Sequence, residues 1–290
     1  MTKTFRFALF VATMLLTVAC NGDLWNDGIG DENDFTVLEF TPAPGQFVNE
    51  FYSATTTEEA RCYAQNNLDR GYWISLGGFG GYVIVKFDRP IVNTGDYDFG
   101  IYGNAFSGSS EPGVVWVSRD ENGNGEADDE WYELYGSESA KATTLHNYAI
   151  TYSRTDDEEV IAWRDSEGES GTIERNTIHP QDYFPAWISE EEYTLSGTLL
   201  PDNSEWSELG QAWVLNSFEW GYTDSYGATD CAIDYANRFR ICDAHTASGE
   251  RANLEKIDFV KVQSATNVVH TIIGEVSTEV SGFVVYSTED

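Results

Sequence analysis

Short runs of alternating apolar and polar residues recur along the chain from about residue 36 onward. Residues 81–87 and 257–262 are rich in β-branched and aromatic side chains and are bounded by turn residues, a pattern typical of half-buried β-strands. The pattern also predicts strands at residues 36–40, 114–118, 131–135, 148–152, 160–163, 193–199, 217–220 and 282–286. Because no helices alternate with these strands, we predict an all-β fold, a β-sandwich of the jelly-roll-like kind.

Two segments depart from the strand pattern. A helix is predicted from Thr56 or Thr57 to Leu68, because a Thr-x-x-Glu capping pattern begins there and two glutamates fall in its first turn. A shorter helix is predicted over residues 230–237. The expected fold is therefore all-β with one short, well-marked helix and an inserted calcium loop, which is described below.

The first twenty residues have the layout of a bacterial export signal. Lys3 and Arg6 precede a nearly unbroken apolar run over residues 7–18, which is too short for a spanning helix. Ala19 supplies a small residue directly before Cys20, and this junction resembles the lipobox of bacterial lipoproteins. We expect cleavage before Cys20 and acylation there, since two or more chains anchor stably where one binds marginally. The alternative is an ordinary cleaved signal followed by a chance cysteine.

These features divide the chain into three parts. Residues 1–19 form the predicted signal peptide, residues 20–35 a lipidated acidic tether with little to bury, and residues 36–290 a single β-sandwich domain. An acidic stretch directly after the lipidated cysteine resembles the surface-export signal of Bacteroidota lipoproteins. This resemblance implies a protein anchored in the outer membrane by lipid and exposed at the cell surface.

The charge of the chain narrows the classes of partner. The 16 Lys and Arg residues face 49 Asp and Glu residues, for a net charge of −33. So acidic a chain repels nucleic acid and anionic headgroups, and we therefore expect no nucleic-acid partner. The acidity favours cations, calcium above all, or neutral ligands such as sugars. Its plainer interpretation is solubility in an extracellular setting.

Three cysteines remain once Cys20 is assigned to lipidation. Three is an odd number for an oxidising compartment. Cys231 and Cys242 are close in sequence, which predicts a disulfide between them and leaves Cys62 buried and free. Pairing of either one with Cys62 remains open, and no spacing indicates a zinc site.

The segment DENGNGEADDEW, residues 120–131, matches the first part of an EF-hand calcium loop. Alternate positions carry oxygen ligands and a glycine allows the sharp turn, as a hard cation with six or more oxygen ligands requires. Trp131 replaces the final bidentate glutamate, so Asp129 or Glu130 has to substitute for it. The predicted calcium ligands are Asp120, Asn122, Asn124, the Glu126 carbonyl, Asp128 and Asp129. We expect a structural calcium loop between two strands, and the alternative is an acidic Asn-Gly turn without an ion.

Aromatic residues are abundant, with 9 Trp, 16 Tyr and 16 Phe. Aromatic faces stack on sugars and other ring ligands, and neighbouring polar groups add directional hydrogen bonds. The segment HPQDYFPAW combines both, and its predicted ligand-binding residues are His179, Gln181, Asp182, Tyr183 and Trp187. The plainer interpretation is that most of the aromatic side chains fill the core.

No motif of a familiar enzyme class is present. The sequence contains no H-E-x-x-H, no G-x-S-x-G, no P-loop and no dinucleotide fingerprint. Among so many carboxylates, an acid pair for glycoside hydrolysis cannot be located from sequence. The sequence therefore favours a binding protein over an enzyme.

Several long motifs resemble one known family. The stretches GGFGGYVIVKFDRPIVN, DYDFGIYGNAFSGSSEPGVVWVSRDENGNGEADDEWYELYGSE, WGYTDSYG and LEKIDFVKVQ are similar to a family of Bacteroidota cell-surface lipoproteins. Some members of that family are encoded near outer-membrane nutrient transporters, including vitamin B12 uptake systems. The resemblance, over roughly residues 76–277, implies a surface lipoprotein with an outer-membrane transporter as partner and a cobamide as one class of ligand.

These observations together predict a surface lipoprotein that acts as a calcium-stabilised ligand-binding module for nutrient capture, with a glycan or a cobamide as ligand. A calcium-dependent glycan-active enzyme is one alternative, and it predicts two acids facing each other across a cleft. A structural or adhesive surface protein is the other, and it predicts a flat aromatic patch and a protein partner.

Overall fold

The computed structural model describes residues 34–157, 160–270 and 274–286. The predicted signal peptide, most of the tether and the lipidation site Cys20 lie outside the described residues. The described chain contains one α-helix, α1 (Thr57–Leu68), and one 3-10 turn, η1 (Ile241–Asp243). No helix in these described segments has the length and apolar character needed to cross a membrane.

Strands account for most of the regular structure. In chain order they are β1 (Phe35–Thr41), β2 (Ile74–Ser75), β3 (Tyr82–Val92), β4 (Phe99–Tyr102), β5 (Gly113–Ser118), β6 (Trp131–Leu134), β7 (Leu145–Arg154), β8 (Val160–Asp165), β9 (Ser170–Glu174), β10 (Glu192–Leu199), β11 (Ser204–Ser207), β12 (Ala212–Leu215), β13 (Asn237–Phe239), β14 (Ala244–His245), β15 (Lys256–Ser264), β16 (Val269–His270), β17 (Gly274–Glu275), β18 (Glu279–Val280) and β19 (Gly282–Val285). Most of the strands that the alternating pattern predicts are present within a few residues of the expected bounds.

The largest sheet has six strands in the order β1-β3-β15-β5-β6-β14, and all its neighbours pair antiparallel. Successive side chains of a strand point to opposite faces. Val83, Val85 and Phe87 of β3 accordingly join the main core, which α1 and the three-stranded sheet β13-β4-β19 cover. Tyr82 points the other way and contacts a second core.

That second core lies under a four-stranded sheet of order β10-β7-β8-β9. Tyr148, Ile150 and Tyr152 of β7 are at most 2% exposed and pack with Phe79. Burial of each such side chain contributes about 1.5–3 kcal/mol to the free energy of folding. Each of the two larger sheets therefore packs on its own hydrophobic core. The predicted all-β, sandwich-like fold with one short helix is confirmed.

The predicted N-terminal cap of α1 is also present. The side chain of Thr56 is the N-cap and accepts a hydrogen bond from Glu59 N at 3.2 Å. Such a cap satisfies one of the free N–H groups at the start of a helix. Ala60, Ala64 and Leu68 are buried at four-residue intervals, so one stripe of the helix faces the main core.

Two predicted elements are wrong. Residues 230–237 form turns that lead into β13 instead of a helix, and Tyr235 has a φ of +72° that a right-handed helix does not allow. Residues 217–220 are a bent segment and not a strand. There Gly221, with a φ of +92°, turns the chain directly after Trp220. In both places local backbone turns override the side-chain pattern.

Candidate functional site

The predicted calcium segment forms the loop between β5 and β6, which we call the β5–β6 loop (residues 119–130). Gly125 has a φ of +78°, and its N–H donates to Asp120 Oδ2 at 2.9 Å. Asp120 N in turn donates to Asp258 Oδ2 at 2.9 Å. The second carboxylate oxygen of Asp120, Oδ1, is buried and has no hydrogen-bond partner. One predicted ligand therefore has an unused oxygen where the loop begins.

The other predicted ligands meet around Asp128. Asn122 Nδ2 lies 3.1 Å from Asp128 Oδ1, and Asn124 Nδ2 lies 3.0 Å from Asp128 Oδ2. Asp129 Oδ2 accepts from Glu121 N at 2.9 Å. Glu126, whose carbonyl is the sixth predicted ligand, donates its N–H to the side-chain oxygen of Asn124 at 2.7 Å. The structure thus brings the predicted residues together in one loop joining two strands, as the sequence indicates.

The carboxylates of the β5–β6 loop are nevertheless not tightly clustered. In the described part of the chain, one group of three acids has ligand oxygens within 4.8 Å of one another, and it lies elsewhere: Glu111, Asp224 and Glu279. We call this group the carboxylate triad. The loop acids therefore have to move closer together to share an ion, whereas the triad acids are already close.

The predicted ligand segment, residues 179–187, is buried only at residues 183–185, and Trp187 is partly buried. Tyr183 is only 2% exposed. Trp187 packs against the main core, with its ring 6.2 Å from that of Phe40 and 5.9 Å from that of Tyr52. These two aromatic side chains therefore fill the interior, as the plainer interpretation of the sequence holds.

The polar residues of the same segment make internal contacts. His179 Nδ1 lies 2.7 Å from Glu50 Oε1, and Gln181 Nε2 donates to Gln46 O at 2.6 Å. Asp182 pairs with Arg154 at 3.3 Å. These bonds fasten the segment to the loop after β1, so the geometry favours a structural role for the five predicted residues.

A cleft lies instead at the end of β6, beside β13 and the bent segment that precedes it. Its volume is about 220 Å³. Residues from four separate parts of the chain line it, among them Tyr97, Tyr135, Trp220, Arg238, Arg240 and Asp243. All six side chains are partly exposed, so aromatic faces and charged groups are both accessible to a ligand.

Arginine residues organise one wall of the cleft. The Arg238 guanidinium lies 4.1 Å from the centre of the Tyr97 ring, and its Nε donates to Asp230 O at 3.0 Å. Arg240 Nε donates to Asp243 Oδ2 at 2.8 Å. Stacking and ion pairing hold both guanidiniums in place and leave other N–H groups of each fork for a ligand.

Asp230 lies beneath this wall and is 2% exposed. Its Oδ2 accepts from Gly221 N at 2.7 Å, while its Oδ1 is buried without a partner. Burial raises the pKa of Asp230, and hydrogen bonds from Gly221 and other groups lower it in part. The carboxyl thus fixes the turn that positions Trp220 over the cleft.

The opposite wall is an aromatic stack. The Tyr135 ring lies 3.8 Å from the ring of His245 and 5.6 Å from that of His146, nearly parallel to both. A hydrogen bond with Glu133 is the main reason that the pKa of His146 is raised. Glu133 also accepts from Thr198 Oγ1 at 2.6 Å. Tyr135 is therefore held rigidly as a flat surface.

Sequence reasoning missed the cleft because its residues are far apart in the chain. The available signal was the pair Arg238 and Arg240 in NRFR. In a strand, residues two apart point to the same face, so this spacing indicates two cations side by side. Trp220 lies in a segment that the pattern predicts as a strand, and the turn at Gly221 that exposes it was not predicted.

The cysteine prediction is wrong. Cys231 and Cys242 are both free thiols, so the disulfide predicted between them is absent. The backbone of Cys231 forms an isolated antiparallel β-bridge with Asn237 at the start of β13. Cys242 lies beyond the other end of that strand. An extended strand rises about 3.3 Å per residue, so β13 carries the two thiols apart although they are close in sequence.

Comparison with known proteins identifies no relative. A scan against models of protein families gives no match, and a search of curated proteins also gives none. The functional conclusion therefore rests on the cleft, the β5–β6 loop and the features of the sequence.

Proposed function

We propose that this protein is a lipid-anchored, calcium-stabilised module that binds a small glycan at the cell surface. The observation that carries the proposal is the cleft beside β13. It is the place where ring faces, guanidiniums and a carboxylate are accessible together. Such a combination of flat apolar surface and a few directed polar groups is typical of small-ligand sites.

The cleft suits a sugar because its groups match both faces of a pyranose. The rings of Trp220, Tyr97 and Tyr135 line the cavity. Arg238 covers a face of Tyr97 and His245 covers a face of Tyr135, so Trp220 offers the main aromatic surface to the C–H face of a sugar. Arg240 and Asp243 supply donors and acceptors for hydroxyl groups. Because they already hold each other at 2.8 Å, they lose little side-chain freedom when a ligand binds.

The volume of the cleft distinguishes the two ligand classes. Pockets for drug-sized ligands measure about 300–1,000 Å³, and this cleft of about 220 Å³ is smaller. It accommodates one or two sugar rings. A cobamide, with a corrin ring and a nucleotide loop, is several times larger and can place only a part of itself there. The geometry therefore favours a glycan, and a cobamide is the alternative ligand.

We propose that the β5–β6 loop binds calcium, because its side chains offer the oxygen ligands that this ion prefers. Asp120 has a buried oxygen without a partner, and the side chains of Asn122, Asn124, Asp128 and Asp129 supply further oxygen atoms. A calcium ion takes six to eight such ligands and neutralises carboxylates that otherwise repel one another. We propose that the ion orders the loop and takes no part in any reaction.

The lipid anchor and the surface location rest on the sequence alone. The layout of residues 1–20 and the acidic tether after Cys20 support an anchored, outward-facing protein. In this setting a binding module suits capture of a ligand for an outer-membrane transporter, which we propose as the partner.

Ligand binding is tested by calorimetry on the mature protein with a panel of glycans and with cyanocobalamin. We expect one glycan to bind, and Trp220→Ala to weaken that binding at least tenfold, about 1.4 kcal/mol. Trp206→Ala is the matched control, because Trp206 is 38% exposed and contacts Trp213 and not the cleft.

Binding of cyanocobalamin alone, unaffected by Trp220→Ala, would overturn the glycan proposal. Equal losses in the two tryptophan variants would show that the cleft is not the site. Release of new reducing ends from the bound glycan would instead support the glycan-active enzyme.

The anchor is tested by fractionation and mass spectrometry of the protein from cells. We expect acyl chains on Cys20, and release of Cys20→Ala protein from the membrane fraction. A sulfur that carries a diacylglycerol group cannot also form a disulfide. Recovery of a Cys20–Cys62 disulfide, or of membrane-bound Cys20→Ala protein, would therefore contradict lipidation.

A further inference from the structure

The carboxylate triad is assembled from three distant segments. Glu111 lies between β4 and β5, Asp224 between β12 and β13, and Glu279 begins β18. Their carboxylate oxygens approach to within 4.8 Å of one another. Asp224 and Glu279 are each 1% exposed. Two of the three acids thus have almost no access to water, and Glu111 is half-buried beside them.

Hydrogen bonding leaves one of the three carboxylates without donors. Asp224 Oδ1 accepts from Asn104 N at 2.9 Å and from Ala105 N at 2.8 Å, and its Oδ2 accepts from Glu279 N at 2.9 Å. Both oxygens of Glu279 are buried, and neither has a hydrogen-bond partner among the described residues. Such a group is costly to bury unless something else binds it.

No neighbouring cation compensates for the charge. The ion pairs among residues 34–157, 160–270 and 274–286 include none of the three acids. Burial raises the pKa of Glu111 to about 7, and burial together with the charge of Glu111 raises the pKa of Asp224 to about 8. The pKa of Glu279 is raised for the same reasons. At neutral pH the triad therefore has to bind either protons or a cation.

We propose that Glu111, Asp224 and Glu279 bind a calcium ion that is separate from the one in the β5–β6 loop. All the ligand atoms are carboxylate oxygens, which hard cations prefer. Oxygens at 2.3–2.6 Å from Ca²⁺ lie up to about 5 Å apart across the ion, which suits the observed spacing. Mg²⁺ holds its oxygens at 2.0–2.1 Å, or about 4.2 Å apart across the ion, and keeps several waters. The buried triad therefore suits calcium better.

The ion would join parts of the chain that no regular sheet connects. Glu279 belongs to the two-stranded pair β2-β18, and Asp224 follows the bent segment that carries Trp220 into the cleft. The site itself is proposed on the triad geometry and does not depend on the glycan proposal.

The test is the number of calcium ions bound by the calcium-stripped mature protein, measured by calorimetry with calcium alone. We expect two ions for the wild type and one for Glu279→Gln, which keeps the shape of the side chain and removes its charge. Glu275→Gln is the matched control. Glu275 is also buried, but its Oε1 accepts from Gln46 N at 2.6 Å and it lies outside the triad; this variant should still bind two ions.

A second variant keeps the test decisive if Glu279→Gln does not fold. Asp128→Asn disables the loop site, and we expect one remaining ion. If Asp128→Asn protein binds no calcium, the triad site is disproved. If Glu279→Gln protein binds none, the loop site fails instead.

Discussion

The β5–β6 loop and the carboxylate triad offer the same kind of oxygen ligand in opposite surroundings. The loop takes its ligands from ten consecutive residues, Asp120 to Asp129, most of them exposed. The triad takes its ligands from positions 111, 224 and 279, and two of its three members are fully buried. One site is local and open to water, and the other is assembled by the fold.

Burial decides how strongly each site is coupled to stability. The loop carboxylates are solvated and can separate, so their repulsion costs little when no ion is bound. The triad carboxylates are held by backbone N–H groups and by strand pairing, so they cannot separate without local unfolding. Protons or a cation at the triad should therefore change the free energy of unfolding, whereas an ion at the loop should mainly order the loop.

The largest expected effect comes from removing the acceptor at the centre of the triad. In saturating calcium, Asp224→Ala loses the ion and leaves the buried N–H of Glu279 and the half-buried N–H groups of Asn104 and Ala105 without an acceptor, at a cost of roughly 1–3 kcal/mol for each buried group. Asp128→Ala loses only the loop ion. Urea denaturation should show Asp224→Ala to be less stable than Asp128→Ala by roughly 3 kcal/mol or more. Equal losses would mean that the two sites do not differ as burial indicates.

The next effect is a pH dependence that calcium removes. Folded Glu111, Asp224 and Glu275 have pKa values of about 7, 8 and 8, whereas unfolded carboxyls ionise near pH 4, at about 3.9–4.3. Between pH 5 and 6 the folded protein therefore binds more protons than the unfolded chain. Without calcium, stability should fall as pH rises, by about 1.4 kcal/mol per pH unit for each extra proton.

Urea midpoints across this pH range, in EDTA and in calcium, measure the effect. His146 contributes little to it, because its pKa is raised and it remains mostly protonated in both states. Calcium should flatten the slope, since it takes the place of the triad protons. If stability depends on pH equally in EDTA and in calcium, the pH dependence does not arise from competition between protons and a calcium ion at the triad.

The smallest effect concerns the loop backbone. Gly125 and Gly123 have φ values of +78° and +73°, so an alanine at either position should cost about 1 kcal/mol through strain. A Cβ at position 125 would meet only the flexible end of Lys86, at 2.7 Å, and a Cβ at position 123 would meet nothing within 4 Å.

Thermal melts and calcium titrations of Gly125→Ala and Gly123→Ala should thus give similar small losses of stability. Binding of calcium at the triad should be unchanged in both variants, because the loop is a local structure. A loss of triad binding in either variant would show that the two sites are coupled.

Local patterns in the sequence were enough to predict much of the fold. The alternation in β3 and β15, and the Thr56 cap of α1, depend on neighbours a few residues away, and such short-range preferences act before any tertiary contact forms. The position of the β5–β6 loop between two strands could be predicted for the same reason, since its oxygen-bearing residues are close together in the chain.

The pattern of apolar and polar residues failed to predict the structure where backbone turns determine it. The left-handed conformations of Gly221 and Tyr235 replace a predicted strand and a predicted helix. The states of Cys231 and Cys242 likewise depend on the strand between them. A sequence spacing of eleven residues sets how far apart two thiols can be, but only the path of the chain sets how far apart they are.

The sequence by itself determined an acidic, all-β chain with one capped helix and a contiguous oxygen-rich loop. Only the tertiary structure showed that Tyr183 and Trp187 belong to the interior, that Trp220 and two arginines share a cleft, and that Glu111, Asp224 and Glu279 meet. The physical reason is that the energy of a charge or a ring depends on what surrounds it. For residues more than a hundred positions apart, the fold supplies those surroundings.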